Sequence, residues 1–245
     1  TLSSSSAASD VYKRQVFMGL LDRDFRLDSG ERLTALHPDA LPPDAIARYE
    51  FAREVLADLP GPLLGADIFC GNGYGTHLLA QSLPCFMHGI DGSAESIDLA
   101  NRNYVDLNVL FSQKFFPFSL PANHFDFIVS IESIEHVEQG EAFFGLMVHA
   151  LKPGGRLIIS APNSQVVDLS KNPYAWHYKH YTVEEFLSLG ERHGLTLMTW
   201  LGADCTLVNP SSGKVVSGNY YSPHSGALTA GRIGDTQTFY FQKPQ

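Results

Sequence analysis

The sequence predicts an α/β fold built on a mostly parallel sheet, and three features of the chain carry that expectation. The apolar run Ala66-Asp67-Ile68-Phe69-Cys70 enters a glycine turn, Gly71-Asn72-Gly73-Tyr74-Gly75, and a helical pattern follows at once in Thr76-His77-Leu78-Leu79-Ala80. A second short apolar strand, Pro84 to Asp91, closes on an acid. Two further apolar runs, Phe125 to Glu132 and Leu151 to Ser160, continue the alternation with helical segments. A buried strand ending in a glycine turn at a helix N-terminus brings backbone N–H groups close to a bound ligand, because glycine has no Cβ and reaches positive φ without strain.

The elements follow in order. Thr1 to Gln15 is Ser/Ala-rich, lacks apolar periodicity and has no signal-peptide core. It resembles adapter-derived read-through, so residues 1–17 are expected to be a non-native or disordered tail and the chain proper to begin near Met18. A polar, turn-rich stretch runs from Gly19 to Pro43. A helix is expected from Asp44 to Leu59, with Ile46, Tyr49, Phe51, Val55, Leu56 and Leu59 on one stripe and Leu59-Pro60-Gly61-Pro62 as its stop. Ser93 caps a helix to about Asp106, and Val109 to Phe111 is a short third strand. Glu141 to Leu151 is the next helix. Thr182 to His193 is another, opened by a capping box of Thr182 and Glu185. Leu195 to Leu201 and Thr236 to Phe241 should pair as a hairpin around the insertion 202–235, rich in Gly, Ser and Asn and carrying Tyr220 and Tyr221. Loops of that length inside a compact domain are usually functional or disordered.

Composition excludes some partners. A net charge of -9 gives no general attraction for nucleic acid or anionic membranes, although local basic patches remain compatible with it. No stretch has the apolar length of a membrane span. Cys70, Cys85 and Cys205 show no CxxC pairing, and their odd number supplies no disulfide framework, which suits a cytoplasmic protein. The 245 residues suffice for one α/β domain with a full core.

The spacing of the glycine turn separates two kinds of ligand. A dinucleotide turn reads G-x-G-x-x-G. Gly71 and Gly73 fit it, but the third glycine comes one residue early, at Gly75, and Thr76 holds the expected place. Asp67-x-x-x-Gly71-x-Gly73-x-Gly75 resembles motif I of the class I S-adenosylmethionine (SAM) dependent methyltransferases. Phe125 to Glu132 is similar to their fourth strand, and Leu151-Lys152-Pro153-Gly154-Gly155 to the turn into their fifth. The matches cover roughly Leu64 to Pro162.

The resemblance implies a Rossmann-like, seven-stranded, mostly parallel sheet with helices on both faces and the last strand antiparallel. It also divides the domain 18–245 into an N-terminal lid and helix (18–62), a SAM-binding core (63–162) and a substrate-side half (163–245). Asp67, Gly71, Asn72, Gly73 and Tyr74 would lie at the methionine end of the cofactor, with Gly92, Phe115 and Ser130 completing its site. Asp91, next to Gly92, can accept hydrogen bonds from ribose hydroxyls, as it would in a dinucleotide enzyme also. This family commonly places an acid after the third strand to read adenine. Here Gln113-Lys114-Phe115-Phe116 stands there, leaving Phe115 stacking, Gln113 or backbone contacts for that task. Ser29-Gly30-Glu31-Arg32 and Arg48-Tyr49-Glu50-Phe51-Ala52 resemble the lid of a subgroup acting in glycan or surface-polysaccharide pathways, with plain packing of a helix across the sheet as the alternative.

The chemistry concentrates at Glu132-Ser133-Ile134-Glu135-His136. If a helix begins near Glu132, then Glu132, Glu135 and His136 share one face at the C-terminal edge of the sheet. Two carboxylates and an imidazole form a half-shell for Mg²⁺, Mn²⁺ or Zn²⁺. The run resembles the metal motif of ubiquinone-biosynthesis O-methyltransferases and of small-RNA 3′-terminal 2′-O-methyltransferases. In the latter a further histidine precedes a threonine that opens a helix, and His177 stands at that spacing before Thr182, with His180 as a spare. The alternatives are His136 or His177 as a general base, or purely structural roles.

Three classes of function follow. The favoured one is a SAM-dependent O-methyltransferase acting on a small molecule or saccharide, with pocket walls from Arg48 to Phe51, from the Asn172 to Tyr181 loop (Tyr174, Trp176, Tyr178, Tyr181) and from the insertion. A divalent-metal-dependent 2′-O-methyltransferase of RNA termini is disfavoured by the acidic charge. A non-catalytic SAM-fold binding protein, or an oxidoreductase using the loop for NAD, is the third, and Gly75 with Thr76 counts against NAD.

Overall fold

Helix α1 (Pro43–Leu56) begins on a proline and carries Asp44 in its first turn and Arg53 in its last, charges that complement the helix dipole. It stops short of the expected Leu59 because the N–H groups of Ala57 and Leu59 donate to Glu54 and Leu56, three residues back, which tightens the chain toward Pro60. The structure is a computed structural model that describes residues 41, 43–171, 176–203, 211, 214 and 227–245. The expected tail 1–17, the lid segment Ser29 to Arg32, Tyr174, Cys205, Tyr220 and Tyr221 lie outside the described residues.

The remaining elements alternate as the sequence predicts: β1 (Leu63–Ile68), α2 (Tyr74–Ser82), β2 (Cys85–Asp91), α3 (Ala94–Asn103), β3 (Val109–Gln113), β4 (Phe125–Ser130), α4 (Gly140–Ala150), β5 (Leu151–Pro162), α5 (Val183–Arg192), β6 (Thr196–Ala203), β7 (Thr229–Ala230) and β8 (Thr236–Gln242). Ser93 Oγ accepts from the Ser96 N–H at the start of α3, and Thr182 and Glu185 form the expected capping box on α5.

The strands form one sheet in the order β3-β2-β1-β4-β5-β8-β6-β7. Strands β1 to β5 run parallel, and β8 lies antiparallel between β5 and β6. Among the described residues the sheet therefore has eight strands, not the expected seven. The extra one, β7, is two residues pairing with Leu201 and Gly202 at the edge. So short a strand, within a Gly- and Ser-rich stretch, has no alternating apolar pattern by which a sequence could announce it.

Crossover handedness sets the layers. Right-handed β1–α2–β2 and β2–α3–β3 units move one way along the sheet and the β4–α4–β5 unit moves the other, so α4 covers the opposite face. The two cores reflect this. Tyr49, Ala52 and Leu56 of α1 and Leu79 of α2 pack on Met87, Phe127 and Val129. On the other side Phe143, Phe144 and Met147 of α4 and Phe186 and Leu189 of α5 pack on Ile128, Ile159, Phe239 and Phe241. No helix lies between β3 and β4, which leaves Phe86 and Leu110 at 55% and 58% exposure on the α4 side of the sheet.

Candidate active site

The strand order reverses between β1 and β4, so the loops after those two strands diverge and open a crevice at the C-terminal edge of the sheet. Each loop holds a non-glycine residue in the left-handed region, Phe69 at φ 65° after β1 and Glu132 at φ 47° after β4. Such conformations cost of order 1 kcal/mol or more each and cluster where ligands bind.

The glycine turn needs its glycines for three different reasons. Gly73 (φ 88°) caps α2, and a Cβ there would stand 2.7 Å from the Phe111 ring and 2.8 Å from Ala100 Cβ. Gly75 is compressed by Tyr49, whose ring lies 2.0 Å from the place a Cβ would take. At Gly71 (φ 56°) nothing lies within 4 Å of that place, so the turn faces open space where a ligand can approach the backbone. The geometry suits SAM: a backbone cradle with room in front of it, and a carboxylate beside it at the end of β2.

That carboxylate is Asp91, buried at the neighbouring strand end, and it accepts from the Gly71 N–H at 3.0 Å and the Ser93 N–H at 2.8 Å. Asp67 is fully buried below the turn and accepts from Thr76 Oγ1 at 2.7 Å and from the Tyr49 hydroxyl at 3.1 Å. Thr76, in the place of a third dinucleotide glycine, thus ties α2 to β1. Asp67 is therefore placed to hold the turn from beneath. Asn72 and Gly92 are also buried in the two loops. Gln113 Nε2 donates to the Gly92 carbonyl at 3.0 Å, bringing the third strand end against the same site, and Phe115 follows, half-buried. Ser130 is fully buried, its hydroxyl bonded to the Ile68 carbonyl and paired with Ser133, so it joins β1 to β4.

Burial pushes the Asp67 carboxyl up from 3.8 to about 7, against the lowering effect of its hydrogen bonds to Thr76 and Tyr49. A carboxyl raised on folding stabilises the protein fully below its unfolded pKa, and that contribution is lost as the pH climbs through the folded value. For a group this buried the loss is on the order of 4 kcal/mol. The stability of the wild type relative to Asp67→Asn should therefore fall between about pH 4 and pH 7 in denaturant titrations. A difference independent of pH would overturn this.

The helix expected from Glu132 does not form. Only Ile134–His136 makes a single 3₁₀ turn. Glu132 is pinned to the end of β5 instead, its backbone N–H donating to Ser160 Oγ at 3.1 Å while that hydroxyl donates to Glu132 Oε1 at 2.6 Å. Burial raises its pKa, opposed by the nearby Arg48 guanidinium. Glu132 is therefore removed from the expected metal set. Arg48 is itself buried, 2.9 Å from Asp44 on α1, and its charge also reaches Tyr74 of the glycine turn.

Glu135, His136 and His177 do come together, each offering a donor atom within 4.8 Å of the others. Glu135 is 1% exposed and lies 3.9 Å from His136 Nε2. The Tyr178 N–H donates to the Glu135 carbonyl and holds the two segments in register. His136 Nδ1 lies 3.1 Å from the Trp176 carbonyl; a carbonyl only accepts, so Nδ1 carries a proton. Burial, with His136 and His180 adding to it, lowers the His177 pKa to about 3, which keeps that ring neutral. The sequence gives no sign of the hydrogen bonds that Tyr49 and Thr76 make to Asp67 or that Ser160 makes to Glu132, because those partners meet only once the sheet and its helices are assembled.

The Methyltransferase domain family matches residues 66–196. Rat mitochondrial ubiquinone biosynthesis O-methyltransferase is 30% identical over 179 residues, covering 63% of this chain and 50% of the rat protein. Phosphoethanolamine N-methyltransferase 2 of Caenorhabditis elegans is 31% identical over 98 residues, 38% of this chain and 22% of that protein. The chain thus spans at most half the length of these relatives. Among solved structures, an S-adenosylmethionine dependent methyltransferase from Mesorhizobium loti superposes with a TM-score of 0.59 at 16% identity, covering 85% of this chain and all of that one. No helix among the described residues is long and apolar enough to cross a membrane. With the family match spanning the glycine turn, both strand-end acids and the β4 and β5 motifs, the chain belongs to the class I SAM-dependent methyltransferases.

Proposed function

We propose that the methyl group goes to a hydroxyl of a small molecule, a phenol, quinol or saccharide, and that Glu135, His136 and His177 activate that oxygen. The observation that carries the reading is their convergence beside the crevice, with His136 Nδ1 committed to a backbone carbonyl. SAM, when bound, supplies an electrophilic methyl on a sulfonium. The turn from Gly71 to Tyr74 would hold its methionine end, Asp91 its ribose, and the buried Arg48 guanidinium would attract its carboxylate.

A hydroxyl of high pKa needs a Lewis acid or a base within reach before it attacks carbon. One carboxylate and two imidazoles suit Mn²⁺, Zn²⁺ or Mg²⁺, and a histidine whose second nitrogen donates to a backbone carbonyl is the usual form of a ligand. Such an ion would lower the pKa of the acceptor oxygen. The second reading makes His136 the base, favoured by the Glu135 carboxylate 3.9 Å away, which would stabilise the imidazolium. His177 does not suit that role, since a group titrating at about 3 holds a proton poorly at neutral pH.

Labelled SAM offered to catechols, quinols, sugars and phosphoethanolamine tests the acceptor. Label should appear on oxygen of a hydroxylic acceptor, and transfer confined to the nitrogen of phosphoethanolamine would overturn the reading.

A further inference from the structure

His177 is one end of a two-ring chain. Its Nδ1 lies 2.7 Å from His180 Nε2, and His180 Nδ1 lies 2.6 Å from the Val167 carbonyl. His180 is buried at 4% exposure, and Val167 is anchored by its own N–H to the Asn163 carbonyl at 2.8 Å. Asn163 is held in turn by the backbone of Gly234 and Asp235. The far end of the chain is therefore fixed by the fold.

A carbonyl oxygen cannot donate, so the proton between His180 and Val167 belongs to His180 Nδ1. At alkaline pH that ring is neutral. Its Nε2 then has only a lone pair, and His177 Nδ1 must donate to it. His177 is left with its lone pair on Nε2, the opposite of the tautomer that neutral histidine prefers in water.

We propose that His180 is a positioning residue that selects the Nδ1–H tautomer of His177 and so presents Nε2 as the electron-pair donor. The proposal rests on His177 working at the acceptor site, but the tautomer can be read without any reaction.

Nitrogen-15 NMR of the imidazoles in the full chain, at alkaline pH with a chelator present, should show His177 protonated at Nδ1. His180→Leu should move the proton to Nε2. His180→Gln, whose carbonyl can accept from His177 while its amide donates to Val167, should keep it on Nδ1. Turnover should fall about 10–100-fold in His180→Leu with SAM affinity unchanged, and recover in His180→Gln. An Nε2–H tautomer in the wild type overturns the proposal even if His180→Leu does not fold, and so does a tautomer unaltered in a folded His180→Leu. A tautomer that switches while turnover stays the same would instead overturn the underlying reading of His177.

Discussion

Asp91→Ala should bind SAM at least a hundredfold more weakly. The carboxylate accepts one backbone N–H on each oxygen, from Gly71 and Ser93, which fixes its plane beside the turn where ribose hydroxyls would donate to it. Hydrogen bonds to a charged group contribute about 1.5–3 kcal/mol each, so losing two costs about 3–6 kcal/mol. The substitution also leaves the Gly71 N–H without its partner and loosens the turn that cradles the cofactor. Asp91→Asn keeps the shape with one acceptor and should fall between the two. Calorimetric titration with SAM checks this, and an unchanged affinity in Asp91→Ala would sink the cofactor pose.

Glu135→Ala should lower turnover by a hundredfold or more while leaving SAM affinity close to wild type, because Asp91 and the glycine turn lie on other strands. Removing the only carboxylate from a three-donor set takes away both a ligand and the charge that balances a divalent ion. EDTA should then reproduce the substitution, and Mn²⁺ or Mg²⁺ should reverse the effect of EDTA but not of the substitution. Turnover that survives EDTA yet drops about 10²–10⁴-fold in His136→Ala would replace the ion with His136 as general base.

The sequence was most legible where structure is decided locally. The Thr182–Glu185 box, the Ser93 cap and the order of strands and helices depend on neighbours within a few residues, and they stand where the spacing puts them. Glu135, His136 and His177 were recognisable as a group although many residues separate the first two from the third. What failed was the helix through Glu132. Its i, i+3, i+4 spacing is sound, but Ser160, on another strand, captures the glutamate from both sides and turns the chain left-handed. Asp67 shows the same limit. Its place before the glycines marks it as important, but that Tyr49 donates to its carboxyl follows only from how α1 lies across the sheet.

The Tyr49 ring occupies the room that Gly75 leaves by having no side chain, and its hydroxyl reaches the acid beneath the turn. Helix α1 and the cofactor loop therefore cannot open independently: peeling the helix away strips Asp67 of a donor and empties the floor of the loop. Amide protons of α1 and of the turn should therefore exchange as one cooperative unit, with a shared free energy of opening, which hydrogen exchange can check. A ligand held only by the turn stabilises the helix to the same degree, so its occupancy can be read upstream, in the exchange rates of residues it never touches.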